Sequence, residues 1–450
     1  MYKMKTLIYS ILVIAAISIS ANDLFSQSLI WKHINTSQSV GATIVENADG
    51  EYVFSIYNYF SDISRNTLLS IDGDSLGSSV ICYCQYGIAF ATKISDDRIL
   101  NISESGRLLI TDNSGVLLEE LDQLGYNTTI LKGSRSDSQL TLAGYTNEGG
   151  EVASTKHIID LTSLEIVRES KYTGFGYTQG LDHFSDQTTI ELYSLWNNSD
   201  SSRIVRRDAN DSILMDVYIN SERIVFVDIT ATDADEIFVI GRQNSVDDHF
   251  PTSGIVVKFS KEGEELWRKT FASASNSMYG VRLFSRIKQA PDGSLTIAGI
   301  DGIVESSQPL LLLNLSPDGN TNWEFLEQIH WDGETPQDFI YTSQNELIVV
   351  GTSGQTDYLG PERAYVVKIS TLPSAVEYVS NSSFEIRPNP FENTFQVSPL
   401  NRSHKYQILD INGKIVDSGI TDGEITLEGQ SSGIYILLLD GFEPGKLVKL

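Results

Sequence analysis

Six histidines (His33, His157, His183, His249, His330 and His404) and two cysteines are the residues whose chemistry is most easily tested by spacing. A hydrolytic zinc site needs ligands at fixed intervals, such as two histidines four apart on a helix. No pair of histidines here has convincing zinc spacing. Two compact clusters join a histidine to carboxylates: His330-Trp331-Asp332 and Asp247-Asp248-His249. Both fall in expected inter-strand loops, where function is often carried, and both are read as solvated loop residues. No P-loop for a phosphate is present. Fifty-nine carboxylates guarantee chance pairs, so a glycosidase-like acid and base are not assignable. Tyr172, Phe175, Tyr177 and Trp196 would offer an aromatic surface to a sugar or a protein, with core packing the preferred reading. No catalytic residue, metal ligand or cofactor is assigned, and the ligand-binding residues stay open.

The two cysteines, Cys82 and Cys84, sit in the strand-like run ICYCQY and would share one face. Neighbours this close seldom reach relaxed disulfide geometry, so two half-buried, unbonded strand residues are expected. Lys+Arg number 32 against 59 Asp+Glu, a net charge of -27. Such a chain lacks the basic footprint of a nucleic-acid binder and is not drawn to an anionic membrane surface. Hydrophobic residues make up 41% of the 450, enough for a sizeable core. The length allows two or three domains, or one large repeat domain with a small companion.

The first 26 residues concern address rather than fold. Lys3 and Lys5 precede an apolar run from Leu7 to Ile19. That run is too short to cross a hydrocarbon core of about 30 Å as a helix, and it has the flanks of a secretory signal peptide. Cleavage fits after Ser18, Ser20 and Ala21, or, preferably, between Ser26 and Gln27. No later stretch is long and apolar enough for a membrane helix.

The middle repeats. A polar turn, often Asp-Gly, leads to a short apolar strand that often ends in glycine; a second strand, a turn and a third strand follow. Clear copies are DADEIFVIG (233–241), PDGSLTIAG (291–299) and QNELIVVG (344–351), and SDSQLTLAGY (136–145) is a weaker one. Each copy has a further apolar segment before its first turn, such as RIVFVDIT (223–230). Seven copies about 41–58 residues apart make seven four-stranded units, the pattern of a β-propeller. The seventh copy runs into Thr371-Leu372-Pro373 without a fourth strand. SLIWKHIN (28–35), which matches EELWRKTF (264–271), is predicted to complete it and close the ring. The Asp-Gly pairs Asp49-Gly50, Asp292-Gly293 and Asp318-Gly319 are read as turns rather than Ca²⁺ ligands. Locally, from Gly263 to Trp267 and from Gly319 to Trp323, the repeats resemble PQQ-type and related bacterial propellers. The resemblance implies that Trp267 and Trp323 pack between blades, and it speaks to fold rather than cofactor.

Residues 373–383 read as a linker and 384–450 as a small β-sandwich with turns at Asn412-Gly413 and Ser432-Gly433. Pro388 and Pro390 belong at an edge or in a loop. The tail resembles the C-terminal sorting domain of type IX secretion substrates from Bacteroidetes. The matching residues are Pro388, Asn389, Pro390 and Phe391; then Asp410, Asn412, Gly413 and Lys414; then Gly433, Ile434 and Tyr435; and last Lys446 and Lys449. The resemblance implies export to the periplasm, recognition of the tail by the outer-membrane translocon, tail removal, and release or attachment at the cell surface.

The expected fold is therefore all-β: a signal peptide (1–26), a seven-bladed propeller (27–372), the linker and a sorting sandwich (384–450). The expected function is a secreted or surface-bound, non-enzymatic module for a protein or glycan. A hydrolase or lyase with a site at the propeller channel, and a structural surface component, are the alternatives.

Overall fold

Short apolar runs broken by tight polar turns make strands, and the computed structural model contains no helix among its described residues. These are 28–34, 40–58, 61–83, 87–121, 124, 128–136, 138–148, 151–194, 201–220, 223–244, 251–273, 280–303, 308–329, 333–354, 363–370, 385–398, 404–410, 415–439 and 445–449. The expected signal peptide and linker lie outside them.

After β1 (Ser28–Ile34) the chain builds seven four-stranded antiparallel sheets, each a blade. Blade one is β2 (Val40–Glu46), β3 (Tyr52–Asn58), β4 (Ile63–Leu69) and β5 (Ser75–Cys82). Blade two is β6 (Ile88–Ser95), β7 (Arg98–Ser103), β8 (Leu108–Asp112) and β9 (Leu117–Leu121). Blade three is β10 (Thr128–Ser136), β11 (Gln139–Glu148), β12 (Glu151–Asp160) and β13 (Ile166–Thr173). Blade four is β14 (Tyr177–His183), β15 (Thr189–Ser194), β16 (Ser201–Arg207) and β17 (Ile213–Asn220). Blade five is β18 (Ile224–Ala231), β19 (Ile237–Asn244), β20 (Pro251–Phe259) and β21 (Glu265–Ala272). Blade six is β22 (Gly280–Gln289), β23 (Leu295–Ile303), β24 (Leu310–Leu315) and β25 (Thr321–Glu327). Blade seven is β26 (Glu334–Tyr341), β27 (Leu347–Ser353) and β28 (Arg363–Ser370), with β1 as its outer strand. The first strands touch in order round the ring, and β26 returns to β2. This is a closed seven-bladed propeller.

Closure by the N-terminal strand is as expected from the sequence. β1 pairs antiparallel with β28, from Ser28 opposite Ser370 to Ile34 opposite Tyr365. Trp31 then reaches blade one, where its indole N–H donates to the Ile71 carbonyl at 2.9 Å. Its ring lies over Gly73, where a Cβ would come within 2.5 Å of it. The same device recurs between blades five and six, where Trp267 covers Gly319. Strands such as β24 are apolar on both faces because both are buried. One cluster joins Phe238, Ile240 and Val256 of blade five to Ile297, Leu311 and Leu313 of blade six.

The innermost and the outermost ladder of every blade carry at least one bulge, and the inner ladder of blade two and the outer ladder of blade one carry two. In the inner ladders one first-strand residue is skipped, for example between Ile130 and Lys132, Phe226 and Asp228, and Phe284 and Arg286. A bulge bends its strand and re-aims the next side chain. It also explains the glycine that ends so many second strands. The bulged strand pushes a carbonyl into the space a Cβ would need. At Gly144 that Cβ would lie 1.9 Å from the Thr129 oxygen, at Gly299 2.1 Å from that of Leu283, and at Gly241 2.5 Å from that of Val225. In the outer ladders the skipped residues include Ile30, Leu76, Leu118, Val167, Leu214 and Leu266, all exposed. Bulging there blunts edges that would otherwise pair with another chain.

Cys82 corrects an expectation: it is disulfide-bonded. The only other cysteine, Cys84, lies outside the described residues. β5 ends at Cys82, so the alternation argument that left the pair unbonded does not carry past that residue.

The C-terminal residues form a separate compact unit, Ala375–Leu450. One sheet orders β29 (Glu385–Arg387), β30 (Thr394–Ser398) and β33 (Glu424–Thr426). The other orders β32 (Ile415–Thr421), β31 (His404–Asp410), β34 (Gly433–Leu439) and β35 (Gly445–Lys449). The core between them holds Phe391, Phe395, Ile408, Tyr435, Leu437 and Leu447.

Candidate functional site

Seven bulged first strands surround one axis, and the residues just past the bulges are Thr43, Phe90, Lys132, Gly180, Asp228, Arg286 and Asp338. Phe90, Lys132, Asp228, Arg286 and Asp338 line a cavity of about 390 Å³ in the channel. Gly180 contributes no side chain, which lets Lys132 of blade three reach past blade four to Asp228 of blade five at 3.5 Å. The other Asp228 oxygen accepts the Ile287 N–H of blade six at 3.1 Å. Lys288 holds Asp338 at 2.7 Å, and the Phe339 N–H adds a bond at 2.9 Å. Burial first, and then the nearby Arg286 charge, pull the Lys132 ammonium down to about 8 against the opposing pull of Asp228. A second cavity, of about 370 Å³, opens toward the beginnings of the first strands. Glu104 stands in it, pushed up to about 7 by burial.

None of these channel residues was singled out from sequence. The available signal was a charge at a matching offset in otherwise apolar first strands, as in ILKGSR, FVDIT, FSRIKQ and QDFIY. Read singly, each such charge looks like a solvated face; only the ring makes them converge.

The histidine and aromatic candidates fare differently. His330, Asp332, Asp247 and His249 lie outside the described residues, as does Trp196. His183 sits between two hydroxyls, Ser134 at 2.8 Å from Nδ1 and Thr141 at 2.9 Å from Nε2. Neighbouring Asp182 accepts the backbone N–H of His183, the Ala231 N–H and the Ser134 and Thr230 hydroxyls. A serine nucleophile needs a base oriented at its far nitrogen by a third group. Here the carboxylate does not touch the imidazole, and burial pushes His183 down to about 4. This is a packed polar cluster. The string Gly73-Asp74-Ser75-Leu76-Gly77 has the spacing of a nucleophile elbow, yet it occupies a turn and an outermost strand with no helix behind it.

Tyr172 and Phe175 form no open surface. Phe175 stacks under the Arg203 guanidinium at 3.7 Å and meets Tyr193 edge-on at 5.2 Å. The Arg207 guanidinium lies 4.0 Å from the centre of Tyr172. Tyr177 packs edge-on against Tyr145 at 5.0 Å. Tyr172, Phe175 and Tyr193 roof a buried charge cluster between blades three and four. In it Lys156 bonds Glu191 at 2.8 Å and pairs with Asp211, while Arg207 bonds Glu191 at 3.2 Å.

In the tail, the structure draws several sorting candidates together. Pro388, Asn389 and Pro390 form the bend after β29. The Asn389 amide donates to the Lys446 carbonyl at 2.6 Å, and its oxygen accepts the Val448 N–H at 2.9 Å. Phe391 is buried against Phe395 and bridges to Lys449. The Lys449 ammonium lies over the Phe391 ring at 5.6 Å and donates to Asn393 at 2.9 Å. Lys449 is thus part of the core and Lys446 is exposed. The Tyr435 hydroxyl donates to the Ser431 carbonyl at 2.6 Å, and Gly433 begins its strand opposite Lys449. Asp410 pairs with Tyr435 through the backbone. Asn412, Gly413 and Lys414 lie outside the described residues.

Comparison with known proteins agrees with both units. Residues 385–446 match the family model of the secretion system C-terminal sorting domain. That tail marks a protein exported by the type IX system to the cell surface or beyond. The chain is similar in fold to the WD40 β-propeller domain of Doa1, with a TM-score of 0.52 and 12% identity over 77% of this chain and 97% of that one. It is also similar to U3-55K, with a TM-score of 0.50 and 9% identity over 74% and 98%. At such identities the likeness concerns the propeller alone. No curated protein matches the sequence.

Proposed function

We propose that this exported propeller acts outside the cell as a non-enzymatic binding module for a protein or glycan. The observation that carries the reading is how the channel charges are used. Asp228 and Asp338 are each held by a lysine and a backbone N–H. Carboxylates held in this way are occupied as ion-pair partners and hydrogen-bond acceptors, which leaves neither free to serve as a general acid or base. The ring then acts as a rigid frame that presents polar groups at its axis.

In this proposal residues 1–26 are a signal peptide, 27–372 the working propeller, 373–383 a linker and 384–450 the part read by the translocon. Pro388, Asn389, Pro390, Phe391, Asp410, Asn412, Gly413, Lys414, Gly433, Tyr435, Lys446 and Lys449 carry the sorting signal. The Asn389 and Lys449 contacts support a role in building the tail's fold, and Lys446 is exposed for contact. The test is to follow mass and location in the native host with and without 384–450. Mature protein outside the cell that is trapped in the periplasm by the deletion supports the reading. Export unaffected by the deletion refutes the role of the tail.

Glu104 favours a second reading, a hydrolase or lyase at the channel. It is a carboxyl raised to about 7 in a cavity that also holds Arg286. Turnover of a polysaccharide that disappears in Glu104→Gln would establish it.

A further inference from the structure

The two channel cavities share four residues, Ala89, Leu131, Arg286 and Gln337, which therefore mark the waist of the propeller. Two are apolar and two carry hydrogen-bond donors. Among the described residues the Arg286 guanidinium meets no carboxylate. Its one hydrogen bond goes to the carbonyl of its own neighbour Ser285, at 3.1 Å. Of the acids lining the two cavities, Asp228 is engaged by Lys132, Asp338 by Lys288 and Asp182 by hydroxyls and a backbone N–H, while Glu104 shares a cavity with Arg286 without forming an ion pair with it. A chain of net charge -27 thus places at the centre of its ring a guanidinium with no ion-pair partner among the described residues.

We propose that this waist binds the oxyanion of a small acidic ligand, anchored on the Arg286 guanidinium, with the Gln337 amide as a second donor. A guanidinium is a planar fork that matches a carboxylate or sulfate with two parallel bonds. Ala89 and Leu131 supply an apolar wall for the body of the ligand. Cavities of this size suit a single sugar ring or a comparable organic acid. The inference rests on the reading of the propeller as a binding module and names its ligand chemistry. The oxyanion belongs either to a free small anion or to an acidic glycan.

The test is calorimetric titration of the purified full chain at constant ionic strength with sodium sulfate, D-galacturonate and neutral D-galactose. Both anions saturating one site, or galacturonate alone doing so, supports the proposal, and the difference tells a free anion from an acidic sugar. Galactose should not bind. Arg286→Gln should weaken binding about 10- to 100-fold, with Arg286→Lys between the two. Gln337→Leu, which changes no charge, gives a smaller loss and serves if the Arg286 variants do not fold. Absence of saturable anion binding to the folded wild type overturns the proposal, as does binding unchanged in both Arg286→Gln and Gln337→Leu. If the wild type still binds a neutral glycan or a protein in that case, the binding-module reading stands and only the channel site falls.

Discussion

Replacing Lys156 by methionine removes one charge from the neutral set formed with Arg207, Glu191 and Asp211. Lys156 is 2% exposed, Glu191 is fully buried, and their charged atoms are 2.8 Å apart. At an effective dielectric near 20 that separation corresponds to about 6 kcal/mol of attraction. Desolvating two ions takes back several kcal/mol, so the pair itself contributes little net stability. Removing one partner is different, because Glu191 keeps its desolvation cost and retains Arg207 and the Thr189 and Tyr193 hydroxyls without its closest cation. The expected loss for Lys156→Met is about 3–5 kcal/mol. Adding Glu191→Leu restores neutrality, so the double variant should lose less than the two single variants together, by about 2–3 kcal/mol. Urea unfolding of the four proteins measures both quantities. The cluster also has an acid signature. Burial is the largest single influence and raises the Glu191 and Asp211 carboxyls, but Lys156, together with Arg207 at Glu191 and hydroxyl donors at both, outweighs it, and both end below their ordinary values. The unfolded chain therefore takes up protons first as pH falls. The cluster's stabilisation is full above the ordinary carboxylate range and is lost below it. A Lys156→Met loss under about 1 kcal/mol, or a double variant equal to the sum of the singles, would refute the reasoning.

Three further outcomes are expected. Deleting 28–34 strips β28 of its outer partner and uncovers Gly73, so gel filtration should show oligomers and the melting temperature should fall; an intact monomer with an unchanged melting temperature would mean that the ring does not depend on β1. Gly299→Ala places a methyl group 2.1 Å from the Leu283 carbonyl oxygen and should cost about 3 kcal/mol, which thermal unfolding will show unless the bulge can relax. His183, neutral in the fold and down at about 4, takes up its proton only in the unfolded chain between that value and its ordinary 6.5. Stability should therefore fall by about 3 kcal/mol as pH drops through this window. In His183→Gln that part of the pH profile should be flat, and a retained slope assigns it to other groups.

Much of the architecture was legible because it depends on short-range rules. Turn residues, second strands ending in glycine and an unpaired seventh blade led to seven sheets closed by 28–35. The glycines were visible as a habit of the repeat, but their cause was not: the first-strand bulge and its displaced carbonyl belong to a neighbouring strand. The disulfide at Cys82 was missed because alternation was extended past the end of β5. In the tail, the motif from Pro388 to Phe391 and Lys449 were noticed separately. Their contact through Asn389 and the Phe391 ring became visible only in the folded unit.

By itself, then, the sequence determined the class of strand, the number of blades, the closing segment and the exported address. Each of these rests on periodicity or on a local motif. Tertiary structure alone decided where charge gathers. Lys132, Asp228, Arg286 and Asp338 lie in four different blades, and one charged residue in an apolar strand carries no direction of its own. Closing seven bulged strands round an axis supplies that direction, because five of the seven bulges turn their next residue toward the same narrow space. There, low solvent exposure makes unpaired charge costly, and the Arg286 guanidinium, which meets no carboxylate among the described residues, becomes the feature that marks the site.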